Sequence, residues 1–211
     1  MLFPYSCFIS YRHTKGYKGR GYVEKLVEEL KEELELRVEQ EVYLDKERLR
    51  GAEFYQEALA TAICRSACLV MLYWPTYLSE SHPFCAREFK AMEALEERRL
   101  PMLAEEERMK GLIVVIALRG FRGIPKEIME KRKCWDFSSY TLKRGFSDDL
   151  QFNSDILDIS RYIAGRCRAL SLLGLDREGE CAHFNLPTEQ DVMPWIRSVA
   201  NPGIAFAHRS S

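Results

Sequence analysis

Short apolar runs rich in β-branched and aromatic residues alternate along this chain with longer segments of helical periodicity. The longer segments repeat apolar residues every three to four positions, as Val23, Leu26, Val27, Leu30 and Leu34 do, which is typical of one face of an α-helix. The short runs are residues 6–11, 42–44, 68–74, 112–118 and 134–137. Such alternation favours parallel strands, right-handed crossovers and helices on both faces of the sheet. The pattern therefore predicts a flavodoxin-like α/β fold with a parallel sheet of five strands.

The predicted helices divide the chain into one domain and a tail. A polar loop from Arg12 to Gly21 precedes a first helix that extends to Glu39. Further helices are predicted after Gly51, from about Cys85 to Arg99, from Pro125 to Glu130, and from Ile156 to Leu170 with Ser154 or Asp155 as the N-cap. Beyond Leu175 the periodicity fades. We therefore assign residues 1–172 to one domain and 173–211 to a C-terminal extension of unknown role.

Charge and hydropathy exclude two classes of partner. Lys and Arg total 31 against 32 Asp and Glu, so the chain lacks the basic excess on which nonspecific nucleic-acid binding depends. No apolar stretch reaches the roughly 18 residues that a membrane span needs, and the N-terminal residues do not resemble a signal peptide. We expect a cytoplasmic protein that binds neither nucleic acid nor membrane.

The seven cysteines are odd in number and scattered through apolar runs, a pattern typical of reduced, buried thiols. Cys64 and Cys68 have no second pair of ligands nearby in sequence, and Cys181 with His183 is equally isolated. The sequence therefore predicts no disulfide framework and no metal site.

Polar and aromatic residues follow the predicted strands at the edge where an open parallel sheet binds its ligands. They are Ser10, Tyr11, Arg12 and His13 after the first strand, Asp45 after the second, Trp74, Pro75 and Tyr77 after the third, and Glu88 near the start of the next helix. Aromatic faces stack on rings, arginine binds phosphate, and carboxylates accept hydrogen bonds from hydroxyls. This mixture suits a ligand that combines flat rings, ribose and phosphates.

Several of these segments resemble the Toll/interleukin-1 receptor (TIR) domain family. Cys7-Phe8-Ile9-Ser10-Tyr11-Arg12 resembles the first TIR signature box, and Leu44-Asp45 with Leu49-Arg50-Gly51 resembles the second box and its loop. Tyr77, Ser79, Phe84, Cys85 and Glu88 resemble the family's Tyr, Ser, Trp-Cys and Glu series. The resemblance covers roughly residues 5 to 170. Phe84 stands where Trp is usual, and Cys134-Trp135-Asp136-Phe137 is nearer to the bacterial enzymatic branch than to receptor adaptors.

The resemblance implies that the chain cleaves NAD as a substrate, without a cofactor, and that Glu88 is the catalytic glutamate. The alternative for Glu88 is a surface glutamate in the first turn of a helix. Arg12 would contact phosphate or ribose, Tyr11 and Phe84 would pack on rings, and Asp45 would shape the loop. The full set of expected substrate-binding residues is Phe8, Ser10, Tyr11, Arg12, Asp45, Leu49, Tyr77 and Phe84. We expect His13 and His82 to be exposed loop residues.

Three functions are compatible with these residues. The first resembles the signal-producing component of bacterial Thoeris antiviral systems. Since no sensor or effector segment is evident in the sequence, a diffusible nucleotide derived from ADP-ribose, linear or cyclic, would reach a separate effector. Homo-oligomerisation would accompany activation. The second is a noncatalytic TIR module that docks through residues 46–51. The third is an enzyme similar to nucleoside deoxyribosyltransferases, which also place a glutamate near a ribose.

Overall fold

A parallel sheet of five strands, in the order β2-β1-β3-β4-β5, forms the centre of the fold. The computed structural model describes residues 3–12, 17–44, 52–141, 145–174 and 177–200. The strands are β1 (Tyr5–Tyr11), β2 (Glu41–Leu44), β3 (Ser66–Tyr73), β4 (Ile113–Ala117) and β5 (Lys133–Asp136). This order confirms the predicted flavodoxin-like sheet.

Burial along the strands follows their apolar content. Every residue of β3 and β4 is buried, as expected for continuous apolar runs in strands that are covered on both faces. The edge strands β2 and β5 are partly exposed. The hydrophobic core is therefore densest around the central strands.

Helices cover both faces of this sheet. They are α1 (Tyr17–Glu35), α2 (Ala52–Cys64), α3 (Phe84–Arg99), α4 (Glu105–Arg108), α5 (Lys126–Lys131), α6 (Leu150–Ser171), α7 (Arg177–Ala182) and α8 (Glu189–Ala200). Helix α1 packs on α6, and α2 packs on α3; right-handed crossovers put these two pairs on opposite faces. None of the helices in the described part of the chain combines the length and apolar character needed to cross a membrane.

The start of α1 corrects the predicted loop. The helix begins at Tyr17, inside the segment Arg12 to Gly21 that the sequence predicts as a loop, and it ends at Glu35 rather than Glu39. Gly21 is exposed and has no neighbouring atom where a Cβ would lie. A helical glycine costs only about 1 kcal/mol relative to alanine, and burial of the predicted apolar face offsets that cost.

The N-cap of α6 was also predicted wrongly. The helix starts at Leu150, and the Asp149 carboxylate accepts hydrogen bonds from the backbone N–H groups of Gln151 at 3.0 Å and Phe152 at 3.2 Å. Neither Ser154 nor Asp155 is the cap. The buried Phe152 extends the apolar face of α6 by one turn, which moves the cap toward the N-terminus.

The prediction that all cysteines are reduced thiols is wrong for one pair. Cys64 at the end of α2 and Cys181 in α7 form a disulfide across 117 residues, whereas the other five cysteines are free thiols. Two cysteines so far apart carry no spacing signal. The Glu180 carboxylate lies beside this pair, within 4.8 Å of the sulfur atoms. These ligand-type atoms are already engaged, because the sulfurs bond each other and Glu180 pairs with Arg99 at 2.8 Å.

Candidate functional site

The loops that leave β1 and β3 meet at one edge of the sheet. Tyr11, the last residue of β1, pairs in register with Leu72 of β3, so the two strands end side by side. The loop after β3, residues 74–83, leads into α3, which begins at Phe84 and carries Glu88 in its second turn. This is the edge at which the sequence predicts a ligand site.

Ser10, Tyr77 and Glu88 form a buried polar cluster at this edge. Their exposed fractions are 1%, 0% and 3%. The Ser10 hydroxyl donates to a Glu88 carboxylate oxygen, and the Tyr77 hydroxyl oxygen lies 2.5 Å from Ser10 Oγ. A buried carboxylate is destabilising unless hydrogen bonds satisfy it, so the Ser10 hydroxyl stabilises Glu88 in its buried position.

The protons of this cluster can be assigned from its geometry. Ser10 has one hydroxyl hydrogen, and the bond to Glu88 uses it. Tyr77 must therefore donate its own hydrogen to Ser10 Oγ. The second contact of Tyr77, to the backbone oxygen of Cys85 at 3.5 Å, is too long to compete for that hydrogen. Tyr77 therefore donates to Ser10, and Ser10 donates to Glu88. The two hydroxyl hydrogens both point along the cluster toward the carboxylate.

Helix α3 brings an aromatic ring to the same side as the carboxylate. Phe84 and Glu88 are four residues apart and share one face of the helix. Phe84 is half-buried, so part of its ring remains open to a ligand. The loop before the helix is held by Arg12, whose guanidinium donates to the backbone oxygen of Thr76 at 2.6 Å, and by Pro75, which packs where a Cβ on Gly120 would lie.

The remaining predicted site residues fall into three groups. Tyr11 and Arg12 are partly exposed beside the cluster. Phe8 is fully buried and stacks on Tyr43 with ring centroids 5.3 Å apart, so core packing accounts for its position. Asp45, Leu49 and His13 lie outside the described residues, and His82 is exposed as predicted.

Sequence reasoning did not find Arg87, which lies next to Glu88 and is only 4% exposed. Its Nε donates to the backbone oxygen of Pro187 at 2.5 Å, and its guanidinium carbon lies 5.2 Å from the centre of the Phe84 ring. Burial lowers the pKa of Arg87, against the opposing effect of the Glu189, Glu88 and Asp191 carboxylates. The sequence carried one signal, an arginine three residues after an aromatic on the same helix.

The comparison with protein families gives one match. Residues 7–145, about two thirds of the chain, match the family model described as TIR domain. The matched segment contains Ser10, Tyr77 and Glu88 and stops before the C-terminal extension. No curated protein and no solved structure matches the chain.

Proposed function

Because the chain belongs to the TIR domain family, we propose that it cleaves NAD at the nicotinamide glycosidic bond with Glu88 as the catalytic carboxylate. The family includes NAD-cleaving enzymes, and its members self-associate. The observation that carries the proposal is the position of Glu88: a buried carboxylate, held by a hydroxyl, at the ligand-binding edge of the sheet. A carboxylate kept in place in this way is suited to stabilise positive charge that develops on a bound substrate.

The chemistry requires one well-placed carboxylate. When the bond between the ribose anomeric carbon and the pyridinium nitrogen breaks, its electron pair stays on that nitrogen, and nicotinamide leaves as a neutral molecule. Positive charge then develops on the ribose, as in glycoside cleavage. A carboxylate beside the ribose stabilises that charge more in the transition state than in the substrate, which is the requirement for catalysis.

The fate of the ribosyl cation determines the product. Attack by water forms a new C–O bond, releases a proton and gives ADP-ribose. Attack by a nucleophile of the same molecule, such as the adenine, forms a C–N bond instead and gives a cyclic ADP-ribose, which has one water fewer than ADP-ribose. Exclusion of water from the site would favour the second product.

The flanking residues fit the rest of the substrate. The exposed part of Phe84 and the half-buried Tyr11 offer ring faces, and Arg12 supplies a cation for phosphate. The family resemblance supports substrate contacts for Phe8, Asp45 and Leu49. Ser10 and Tyr77 have an indirect role in this proposal, since both hydroxyls serve the Glu88 carboxylate.

The biological role we propose is bacterial antiviral signalling. The product would be an ADP-ribose-derived messenger that reaches a separate effector, as the resemblance to Thoeris signal-producing proteins implies. Homo-oligomerisation would accompany activation, and the protein would act in the cytoplasm. NAD is the substrate in this scheme, and no cofactor is needed.

A noncatalytic interaction module is the second candidate. One observation favours it: Glu88 is 3% exposed and bonded to Ser10 within a single chain, as a structural carboxylate would be. In that case the cluster stabilises α3, and signalling depends on docking between TIR domains.

Substitution of Glu88 separates the two functions. We would incubate NAD with the wild type, Glu88→Gln and the control Glu97→Gln, which changes an exposed residue of the same helix. Nicotinamide and ADP-ribose isomers would be resolved by chromatography and mass spectrometry, with and without clustering of the chains. We expect Glu88→Gln to lower nicotinamide release by about a hundredfold or more, with the control unchanged. No NAD consumption by clustered wild type would favour the interaction module.

A further inference from the structure

The C-terminal extension follows helix α3 from one end to the other. Where the extension begins, Glu180 binds Arg99 at the C-terminal end of α3, with a side-chain N–O distance of 2.8 Å. Pro187 then accepts a hydrogen bond from Arg87 near the N-terminal end of α3. Since an α-helix rises 1.5 Å per residue, these two contacts lie about 18 Å apart along α3. The extension therefore runs back toward the end that carries Glu88.

Helix α8 then packs on α3 beside this end. The Trp195 ring stacks on Phe89 with centroids 5.2 Å apart and an angle of 12° between the planes. Ala86, Val192 and Ile196 form an apolar cluster between the two helices. Such an aromatic pair adds stability beyond the burial of its surface. Apolar contacts therefore hold α8 on the first turns of α3.

Helix α8 also contacts the loop that precedes α3. Arg197 pairs with Glu80 of that loop at 3.0 Å. Both side chains are largely exposed, so this pair adds little stability on its own. The ion pair nevertheless connects α8 to the segment between Tyr77 and Glu88.

Arg87 is the residue in which these contacts converge. Its guanidinium donates to Pro187 of the extension at 2.5 Å and to the Gln56 side chain of α2 at 3.0 Å. The same guanidinium lies over the Phe84 ring. One buried side chain thus connects α2, the first turn of α3 and the C-terminal extension.

We propose that Arg87 is a positioning residue, through which the C-terminal extension fixes the first turn of α3 and the Glu88 carboxylate for NAD cleavage. The inference rests on the proposed function for its catalytic consequence. Loss of the guanidinium leaves the sheet intact but lets the first turn of α3 shift. A shift of about 1 Å in a catalytic group is enough to lower turnover by up to a hundredfold.

The effect should fall on turnover more than on substrate affinity. A displaced Glu88 loses transition-state stabilisation, which lowers kcat, whereas the exposed groups that would bind phosphate and rings keep KM near its original value. Arg87→Lys retains one cationic donor for the Pro187 oxygen, so it should restore part of the kcat that Arg87→Gln loses. A smaller folded fraction would also lower the apparent kcat at unchanged KM, so hydrogen exchange in the rest of the fold is measured to separate the two cases.

The test uses the full chain with Arg87→Gln, Arg87→Lys and Trp195→Ala. Arg161→Gln is the control, because it changes an exposed arginine of α6 that pairs with Asp158 at 3.7 Å. Two measurements are made: kcat and KM for nicotinamide release, and hydrogen exchange of residues 84–92 with residues 156–170 as the internal reference. We expect faster exchange confined to residues 84–92 in Arg87→Gln and Trp195→Ala, a kcat lowered about tenfold to a hundredfold, and an intermediate kcat in Arg87→Lys.

The two proposals fail in different ways. Unchanged exchange at residues 84–92 in both Arg87→Gln and Trp195→Ala overturns the positioning role, whatever the activity. Equal loss of protection at residues 84–92 and 156–170 in all three variants also overturns it, because the effect is then on the whole fold. If the wild type releases no nicotinamide while exchange changes as expected, NAD cleavage fails as the function and the control of α3 by the extension stands.

Discussion

At the scale of single residues, the Glu88 carboxylate depends on a hydroxyl relay. Ser10 donates to Glu88, and Tyr77 donates to Ser10. A buried carboxylate without these bonds would lose the compensation for its lost hydration. Since Tyr77 acts on Glu88 through Ser10, the two hydroxyls should behave as one functional unit.

Substitutions in this relay should therefore be non-additive. We expect Ser10→Ala to lower kcat about tenfold to a hundredfold, since a hydrogen bond to a charged group contributes roughly 1.5–3 kcal/mol. Tyr77→Phe should lower kcat less, and the double variant should lose less than the sum of the two single losses, because the Tyr77 hydroxyl acts on the carboxylate through its bond to Ser10. Ser154→Ala, at an exposed position of α6, is the control. Fully additive losses would mean that Tyr77 contacts the substrate or carboxylate independently.

The residues of the site differ in how far the sequence reveals them. Because parallel strands end at one edge, the sequence predicts that Ser10, Tyr77 and Glu88 meet. It does not show that the Tyr77 hydroxyl bonds Ser10 and that Ser10 bonds the Glu88 carboxylate. Arg87 was missed because its partner Pro187 is 100 residues away, in a segment for which the sequence analysis predicts no helix. The roles of Asp45 and Leu49 stay predictions, as both lie outside the described residues.

At the scale of elements, helix α7 depends on its attachment to the core. It has six residues, and an isolated helix of that length is unstable in water. The Cys64–Cys181 disulfide and the buried Arg99 fix it to the ends of α2 and α3. The first helix of the C-terminal extension is thus attached to the core by a covalent bond.

Removal of this bond should lower stability by an amount set by the loop it closes. For a separation of 117 residues, we expect Cys181→Ser to lose about 2–5 kcal/mol of unfolding free energy, with the upper end set by the long loop, measured by urea unfolding without reductant. A thiol reductant should cause the same loss in the wild type and none in the variant. Cys134→Ser, which changes a half-buried free cysteine and keeps the disulfide, should lose the same unfolding free energy as the wild type when reductant is added.

Thiol counting checks the same bond directly. Alkylation must be done in denaturant, because burial raises the pKa of Cys134 to about 11 and the native thiol would react slowly. Mass spectrometry should find five alkylated cysteines without reductant and seven with it. Seven alkylated cysteines without reductant would show that the bond is absent.

The elements themselves were predictable where packing and periodicity agree. The five strands and the apolar face of α1 follow from their patterns, since burial selects apolar residues at fixed spacing. The start of α1 and the cap of α6 did not follow, because tertiary contacts override local preference at helix ends. Helix α8 was missed although its buried Val192 and Ile196 lie one turn apart, because the helix is short and contains Pro194, a residue that ordinarily disfavours a helix interior.

At the scale of the whole molecule, one chain encloses its own candidate catalytic group. The Glu88 carboxylate is covered by Ser10 and Tyr77 of the same chain and is 3% exposed. A ribose can reach it only after the surrounding elements move. TIR domains self-associate, and we expect contact with a neighbouring chain to supply free energy for this movement.

Activity should therefore depend on chain concentration. We expect the initial rate of nicotinamide release per chain to rise steeply over about a hundredfold range of concentration, in parallel with the oligomer fraction from light scattering. Clustering the chains on a scaffold should raise the rate at low concentration, and Glu88→Gln should stay inactive throughout. If the rate per chain instead stays constant while the protein is monomeric, a single chain opens its own site. The site would then open and close rapidly in the monomer, and assembly would not be needed to expose Glu88.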